Sequence, residues 1–262
     1  MDVSKRRKEP SGAARPHKVT KLPPHVPEIR PSNHGTLEDI SFKWTSAGPW
    51  EHYQRETALQ PGCYLAFLKK YPHTPVLVCE RDIPCGEINQ LRSIVHRNIV
   101  RLCRIYVCEK SLTMIYEMTF ISLKDILSFR PHWNMAETAA VCQGVLVALN
   151  YIHKTLGISH GDIRAESICL DSEGAVKLGR IGDSLLQNKR DQADDIYAFA
   201  RIVKRLIEPG ELNESLADFM GRLERGEAPA TLLQHKFLSY VNGPGQLHHC
   251  VWRWFATRAL FT

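Results

Sequence analysis

The sequence lacks the cysteine patterns of metal-binding and disulfide-rich proteins. It has eight cysteines, but no CxxC pair and no Cys/His spacing typical of a zinc site. Three of the cysteines, Cys79, Cys103 and Cys169, lie within apolar stretches. Buried thiols of an intracellular protein explain this usage, because disulfides are rare in a reducing compartment. The sequence therefore predicts neither a metal centre nor a secreted disulfide scaffold.

A secretory signal, an apolar run near twenty residues and a basic stripe are also missing from the sequence. We therefore expect an intracellular, cytoplasmic protein that does not bind a membrane. The net charge is +6, but part of it lies in the first twenty residues, so nucleic acid is not an expected partner. The cluster SKRRK at residues 4–8 is typical of a solvated tail and also of a nuclear address. Both interpretations stay open.

What is present divides the chain into a strand-rich part followed by a helical part. Residues 1–35 are rich in Pro, Lys and Arg and are predicted to be a disordered basic tail. Within residues 36–118, the segments 63–70 and 75–80 form a predicted hairpin. The spacing of apolar residues over 87–95 predicts a helix.

The helical part covers residues 119–242, and residues 243–262 are a C-terminal extension. A long amphipathic helix is predicted over residues 134–156, where Asn134 and Glu137 resemble a capping box. Another helix is predicted from Asp194, with Ile196, Phe199 and Val203 on one stripe. The sequence thus predicts an α+β fold with a small β-rich lobe and a larger helical lobe.

Six segments, in the right order, resemble the eukaryotic protein kinase superfamily. They are EINQLRSIVHRNIVRL (end of helix C), LTMIYEM (strand entering the hinge), ISHGDIRAESICL (catalytic loop), AVKLGRIG (strand before the Asp-Phe-Gly motif), DDIYAFARIV (helix F) and LLQHKFL (end of the last helix). The resemblance covers most of the chain between Cys63 and Leu238. It implies a two-lobe fold similar to that of serine/threonine kinases.

The resemblance also implies roles for particular residues. Asp162 stands at the catalytic base, Arg164 at the cation near the γ-phosphate, and Glu87 at the helix C glutamate. The hinge of the nucleotide site is formed by Glu117, Met118 and Thr119, after Tyr116 at the gatekeeper position. The apolar column that joins the lobes is matched by Leu91, Leu102, His160 and Ile181, and Asp195 matches the buried acid that anchors the catalytic loop.

Several positions depart from the family pattern. Cys79 replaces the lysine of the third strand, Ser167 replaces a metal-binding asparagine, and Arg180 replaces the aspartate of Asp-Phe-Gly. Exchanging a negative charge for a positive one opposes divalent cations, so no metal site is expected. Leu77 fills the space of a small alanine, and only Gly62 remains of the glycine-rich loop. The activation segment is shortened and lacks its Ala-Pro-Glu motif.

These departures predict a catalytically impaired pseudokinase with a vestigial nucleotide site and no expected cofactor. Such a module would bind protein partners, for example an active kinase or its substrates. Asp162 would then remain as a hydrogen-bond acceptor of its loop, and Glu87 would face solvent or pair with Arg180.

Two alternatives stay open. One is a divergent serine/threonine kinase that uses ATP and magnesium, with Asp183, Lys69 or Lys70 supplying the missing groups. The other is a degenerate relative with no retained role.

Overall fold

The computed structural model describes residues 48–82, 88–108, 111–130, 133–207, 210 and 213–261. These residues belong to one compact unit. The predicted tail, the start of the predicted β-rich lobe and Glu87 lie outside the described residues. The rest forms a five-stranded sheet followed by a mainly helical lobe, which is the α+β arrangement that the resemblance implies.

The N-terminal lobe is an antiparallel sheet with the strand order β1-β2-β3-β5-β4. Its strands are β1 (Tyr53–Gln60), β2 (Cys63–Leu68), β3 (Pro75–Asp82), β4 (Leu102–Cys108) and β5 (Ser111–Glu117). Because side chains alternate between faces along a strand, β3 places Val76 and Val78 in an outer cluster. Cys79 lies on the opposite face, in the main core that continues into the helical lobe. The predicted hairpin is confirmed as β2 and β3.

The helix predicted over residues 87–95 is wrong for the part that the structure describes. A single 3₁₀ turn spans Ile88–Gln90, and an irregular segment follows it. Ile88, Leu91 and Ile94 are all buried, whereas Val95 is 72% exposed. Buried positions three apart fit a short 3₁₀ turn, which has three residues per turn. The apolar residues at this spacing are therefore buried as predicted, but the segment that carries them is not an α-helix.

The helical lobe contains seven α-helices and a small sheet among the described residues. The helices are α1 (Leu123–Phe129), α2 (Met135–Tyr151), α3 (Ile181–Gln187), α4 (Gln192–Leu206), α5 (Glu214–Glu224), α6 (Pro229–Leu232) and α7 (His248–Phe261). The sheet consists of β6 (Ile121–Ser122), β7 (Ile168–Leu170) and β8 (Val176–Leu178). The predicted helix at 194 is confirmed as α4, whereas nothing in the sequence predicted α3.

Helix α2 is the central helix of this lobe. Its predicted capping box is confirmed, since the Asn134 side chain accepts a hydrogen bond from the Glu137 N–H and the Glu137 carboxylate accepts one from the Asn134 N–H, both at 2.9 Å. The segment Met135–Leu156 is long and apolar enough to cross a membrane by length and composition. This corrects the expectation of no long apolar run. Its buried residues pack in the main core, so the segment is the core helix of the lobe.

Contacts between the segment before β4 and the helical lobe join the two lobes. The Asn98 side-chain amide donates to the Val176 carbonyl at 2.8 Å, and the Val100 N–H donates to the Leu178 carbonyl at 2.9 Å. The ring of His96 stacks on Tyr151, with ring centroids 4.8 Å apart. The two lobes therefore meet along β8 and α2. We call the space between the N-terminal sheet and the catalytic loop the cleft.

Candidate catalytic and nucleotide cleft

The catalytic loop is anchored from below by Asp195, the buried acid of α4. Its carboxylate accepts hydrogen bonds from the N–H groups of His160 at 2.6 Å and Gly161 at 2.8 Å. The His153 ring nitrogen Nε2 lies 2.8 Å from the same carboxylate. The side chain of Asp195 is only 2% exposed. The predicted anchoring role of Asp195 is thus confirmed.

His160 supports the loop in its neutral form. Its Nε2 lies 2.8 Å from the Gly179 carbonyl, which can only accept, so Nε2 carries the proton. Nδ1 is then free to accept from the Asp162 N–H at 3.3 Å. Burial lowers the pKa of His160 and favours this uncharged state. His160, Leu91, Leu102 and Ile181 are all buried, as the apolar column requires.

Ser167 stabilises the turn of the catalytic loop. Its hydroxyl lies 2.9 Å from the carbonyls of both Asp162 and Arg164, and it accepts a hydrogen bond from the Arg164 N–H. The residue is buried, with 1% exposure. Through these hydrogen bonds to backbone groups, the Ser167 side chain stabilises the conformation of the loop.

The carboxylate of Asp162 is held by two arginines. Arg180 Nη1 lies 2.8 Å from one carboxylate oxygen, and Arg164 Nε lies 3.2 Å from the other. The structure therefore brings together the two predicted catalytic residues, but as an ion pair. The negative charge at the predicted base position is therefore balanced by two neighbouring guanidinium groups.

Asp183 continues this arrangement into the N-terminal lobe. Arg180 Nε lies 3.0 Å from Asp183, and Arg81 binds Asp183 with both Nε and Nη2 at 3.1 Å. Burial, the largest single influence, lowers the pKa of Arg81, but the hydrogen bonds to Asp183 and nearby negative charge, chiefly that of Asp183, together raise it. The predicted pairing of Glu87 with Arg180 concerns a residue outside the described ranges.

The result is a continuous chain of alternating charges, which we call the arginine–aspartate chain. It consists of Arg81, Asp183, Arg180, Asp162 and Arg164. It runs from β3 to the catalytic loop, and three cations against two anions leave a net charge of +1. The sequence reasoning missed Arg81. A usable signal was its position two residues after Cys79, which places both side chains on one face of β3.

The roof of the cleft is apolar and closely packed. Leu77 of β3 lies opposite Tyr116 of β5. The Tyr116 hydroxyl accepts a hydrogen bond from the Gly182 N–H at 3.2 Å and lies 3.3 Å from the Met114 sulfur. A Cβ added at Gly182 would lie 2.5 Å from that hydroxyl. The Gly182 backbone therefore packs directly against the gatekeeper side chain.

The predicted hinge follows β5. The Glu117 carboxylate binds Lys177 Nζ at 2.7 Å and accepts from the Arg101 N–H at 3.1 Å. Met118 and Thr119 form irregular, half-buried chain after the strand. The side chain of Glu117 thus ties β5 to β8, and a nucleotide-binding role for these three residues stays a prediction.

The lysines proposed as substitutes lie away from the catalytic loop contacts. Lys69 Nζ donates to the Trp50 carbonyl at 2.7 Å, and both Lys69 and Lys70 are exposed. Among the described contacts, neither lysine reaches Asp162 or Asp183. Among the described contacts, the cation of the N-terminal sheet that binds Asp183 is therefore Arg81.

Below Asp162, a cavity of about 480 Å³ opens between the catalytic loop and α4. Asp162, Lys189, Asp194, Tyr197 and Arg201 are among its lining residues. Only the short stretch 188–191 separates α3 from α4 here. The shortened activation segment thus leaves this side of the loop open.

One group of metal-type donors among the described residues lies outside the cleft. Glu137, His249 and Cys250 bring their donor atoms within 4.8 Å of one another. However, Arg130 binds the Glu137 carboxylate through two nitrogens at 2.7 and 2.9 Å. A guanidinium group therefore already supplies the positive charge, and the group connects α7 to the start of α2.

Comparison with known proteins agrees with this architecture. The family model described as protein kinase domain matches residues 65–199, just over half of the chain. The serine/threonine-protein kinase Tao of Drosophila melanogaster is 34% identical over 102 residues, which is 38% of this chain and 10% of Tao. The serine/threonine-protein kinase PAK 5 of Rattus norvegicus is 33% identical over 103 residues, 39% of this chain and 14% of PAK 5.

A third relative is named as a kinase adapter protein and not as a kinase. The STE20-related kinase adapter protein strd-1 of Caenorhabditis elegans is 38% identical over 95 residues, 35% of this chain and 24% of strd-1. The chain thus spans a quarter or less of the length of these three relatives. With the kinase-domain match over half of its residues and the two-lobe fold, the chain belongs to the protein kinase superfamily.

Proposed function

We propose that this kinase-like domain is a pseudokinase that serves as a scaffold or regulatory binding module and does not transfer phosphate. The observation that carries the proposal is the arginine–aspartate chain. Phosphoryl transfer requires bound divalent cations and a base that is free to orient a hydroxyl group. Here Arg180 occupies the aspartate position of the metal site and binds Asp162 at 2.8 Å.

Electrostatics gives the size of this obstacle. Two unit charges 4 Å apart interact by about 4 kcal/mol at an effective dielectric constant near 20. A guanidinium group in place of a carboxylate therefore changes an attraction for a divalent cation into a repulsion worth several kcal/mol. Asp183 does not remove this obstacle, because Arg81 and Arg180 both bind it.

The roof of the cleft supports the same proposal. The lysine that usually holds phosphate is replaced by Cys79, which is buried against Cys63. Leu77 extends from the roof where the family has alanine. Nucleotide binding would thus lose a phosphate contact and gain a steric conflict.

The scaffold part of the proposal has separate support. A relative with 38% identity over its aligned segment is named a kinase adapter protein. The hydrogen bonds of Asp195 and Ser167 to the backbone stabilise the catalytic loop, and they do not depend on phosphate transfer. Protein partners, such as an active kinase or its substrates, are the class of ligand that this proposal implies.

A divergent serine/threonine kinase is the second candidate. It is favoured by the presence of Asp162 at the base position and by relatives named as serine/threonine kinases. In such an enzyme, Arg81 and Asp183 would take the roles of the missing lysine and aspartate. The arginine–aspartate chain would have to open when magnesium and ATP enter.

Thermal unfolding with nucleotide distinguishes the two candidates. A ligand at a hundred times its Kd adds about 2.7 kcal/mol to stability, which raises the Tm of a chain of this size by roughly 5 to 10 °C. We expect no rise that depends on magnesium at millimolar ATP. A rise with ATP and EDTA agrees with the proposal, because the arginine–aspartate chain has a net positive charge that can attract phosphate without metal. A rise that appears only with magnesium contradicts it.

A further inference from the structure

Two cysteines face each other across adjacent strands in the roof of the cleft. Cys63 of β2 and Cys79 of β3 are direct cross-strand partners, and their sulfur atoms lie 2.8 Å apart. Both residues are buried, with exposures of 6% and 8%. The contact joins side chains that are sixteen residues apart in the chain.

The backbone geometry suits a covalent bridge. The Glu80 N–H donates to the Gly62 carbonyl, so the neighbouring pair Gly62 and Glu80 is the hydrogen-bonded one. Cys63 and Cys79 therefore form a non-hydrogen-bonded pair, in which Cα atoms lie about 4.5 Å apart. Disulfides form at Cα separations of roughly 4.4 to 6.8 Å. The two sulfurs could thus bond with little movement of the strands.

The surroundings of Cys63 lower the pKa of its thiol. A hydrogen bond from the Cys79 thiol lowers the pKa of Cys63, and the positive charges of Arg81 and Arg180 act in the same direction. Burial opposes this effect. Cys63 directly follows the turn at Pro61 and Gly62 that joins β1 to β2, so the pair lies at the end of the β2–β3 hairpin opposite its own turn.

From this geometry we propose that Cys63 and Cys79 form a dithiol modification site that closes reversibly into a disulfide by exchange with glutathione disulfide. The site is independent of the pseudokinase proposal, because it requires neither nucleotide nor catalysis. The oxidised form would fasten β2 to β3 beside Arg81, at the sheet end of the arginine–aspartate chain.

The chemistry has two steps. The Cys63 thiolate attacks one sulfur of glutathione disulfide, a mixed disulfide forms at Cys63, and one glutathione thiolate leaves. The Cys79 thiol then loses its proton and attacks the Cys63 sulfur, which releases the second glutathione. Two protein thiols are oxidised and one glutathione disulfide is reduced to two glutathione molecules.

Peptide mapping tests the proposal directly. The purified full chain is equilibrated with reduced or oxidised glutathione under native conditions, quenched with acid and alkylated. Trypsin cleaves after Lys69 and Lys70, so Cys63 and Cys79 fall on separate peptides, residues 56–69 and 71–81. We expect these two peptides to be linked in more than about half of the oxidised protein and to separate again with excess reduced glutathione.

Matched variants identify the reaction. Cys79→Ser should remove the link and leave a mixed disulfide at Cys63, whereas Cys63→Ser should remove both. Cys142, which is fully buried, serves as the internal control and should stay unmodified. Both variants are checked for wild-type circular dichroism, and Cys103→Ser provides a variant outside the pair.

Four results would overturn the proposal. They are free thiols at both positions after oxidation, separate mixed disulfides at Cys63 and Cys79, links to other cysteines in place of this pair, and a link that forms only in urea.

Discussion

The two sides of the catalytic loop differ in what they preserve. Below the loop, Asp195 binds the N–H groups of His160 and Gly161 as the kinase resemblance implies. Above the loop, Arg180 stands where the resemblance implies an acid, and it forms an ion pair with Asp162. The side that holds the backbone is intact, whereas the side that would face nucleotide is changed.

The difference shows that folding and catalysis place separate demands on the same loop. The lower contacts satisfy buried backbone groups, whose loss would be costly in any folded state. The upper positions need specific charges only when metal and phosphate bind. Under the pseudokinase proposal, the chain can therefore carry Cys79, Ser167 and Arg180 at the positions for phosphate and metal while it keeps Asp195.

The largest effect is expected below the loop. Asp195→Ala leaves the buried N–H of His160, the N–H of Gly161 and the buried ring of His153 without their acceptor. We therefore expect a loss of about 3 to 5 kcal/mol in the free energy of unfolding. Urea denaturation measures this change. Asp194→Ala is the matched control, since Asp194 is exposed in the same helical turn and should cost less than about 1 kcal/mol. Equal losses for the two variants would contradict the anchoring role.

An intermediate effect is expected in the arginine–aspartate chain. A double-mutant cycle of Arg81→Gln and Asp183→Asn should give a coupling energy of about 1 to 3 kcal/mol, because Asp183 is only 12% exposed and its pairing with Arg81 is bidentate. The exposed pair Lys204 and Glu224 is the control, and its coupling should stay below about 0.5 kcal/mol. Unfolding in urea gives the free energies of the seven proteins that the two cycles need, since they share the wild type. Indistinguishable couplings would mean that this contact between β3 and α3 is no stronger than a surface pair.

The smallest effect on stability is expected at Asp162 itself. Asp162→Asn should change the free energy of unfolding by less than about 1 kcal/mol, since the Asp162 side chain is 28% exposed and its partner Arg164 is 49% exposed. Asp183→Asn, measured in the same way, should cost more. A loss at Asp162 as large as that at Asp195 would mean that the upper side of the loop is also needed for folding.

The sequence could predict those contacts that depend on neighbouring residues or on a family motif. The capping box of α2 depends on two residues three apart, and the anchoring by Asp195 followed from the resemblance of α4 to helix F. The pair of Arg81 and Asp183 joins residues 102 apart in the chain, and no local pattern encodes it. The alternation of side chains along β3 predicts the face on which Arg81 lies. The contact with Asp183 is seen only in the folded structure.

Two local predictions failed for physical reasons. The apolar residues between 88 and 95 matched a helical period, but their three-residue spacing belongs to a 3₁₀ turn and an irregular segment. Helix α3 begins at Ile181, and its N-cap residue Arg180 has a left-handed backbone and makes no side-chain cap hydrogen bond. It has no start signal in the sequence, so packing of Ile181 and Leu185 in the core must stabilise it.

The most direct test of the account is phosphoryl transfer by the purified full chain with ATP and magnesium. Incorporation of labelled phosphate into the protein itself and into a generic basic substrate is measured for the wild type and Asp162→Asn, with an active serine/threonine kinase as the positive control. The account predicts that both proteins incorporate no more phosphate than a blank without protein, because Arg180 and Arg164 hold Asp162, and Ser167 and Arg180 stand at the two positions where the family binds metal. Transfer by the wild type that Asp162→Asn abolishes would contradict the pseudokinase proposal and establish a divergent kinase.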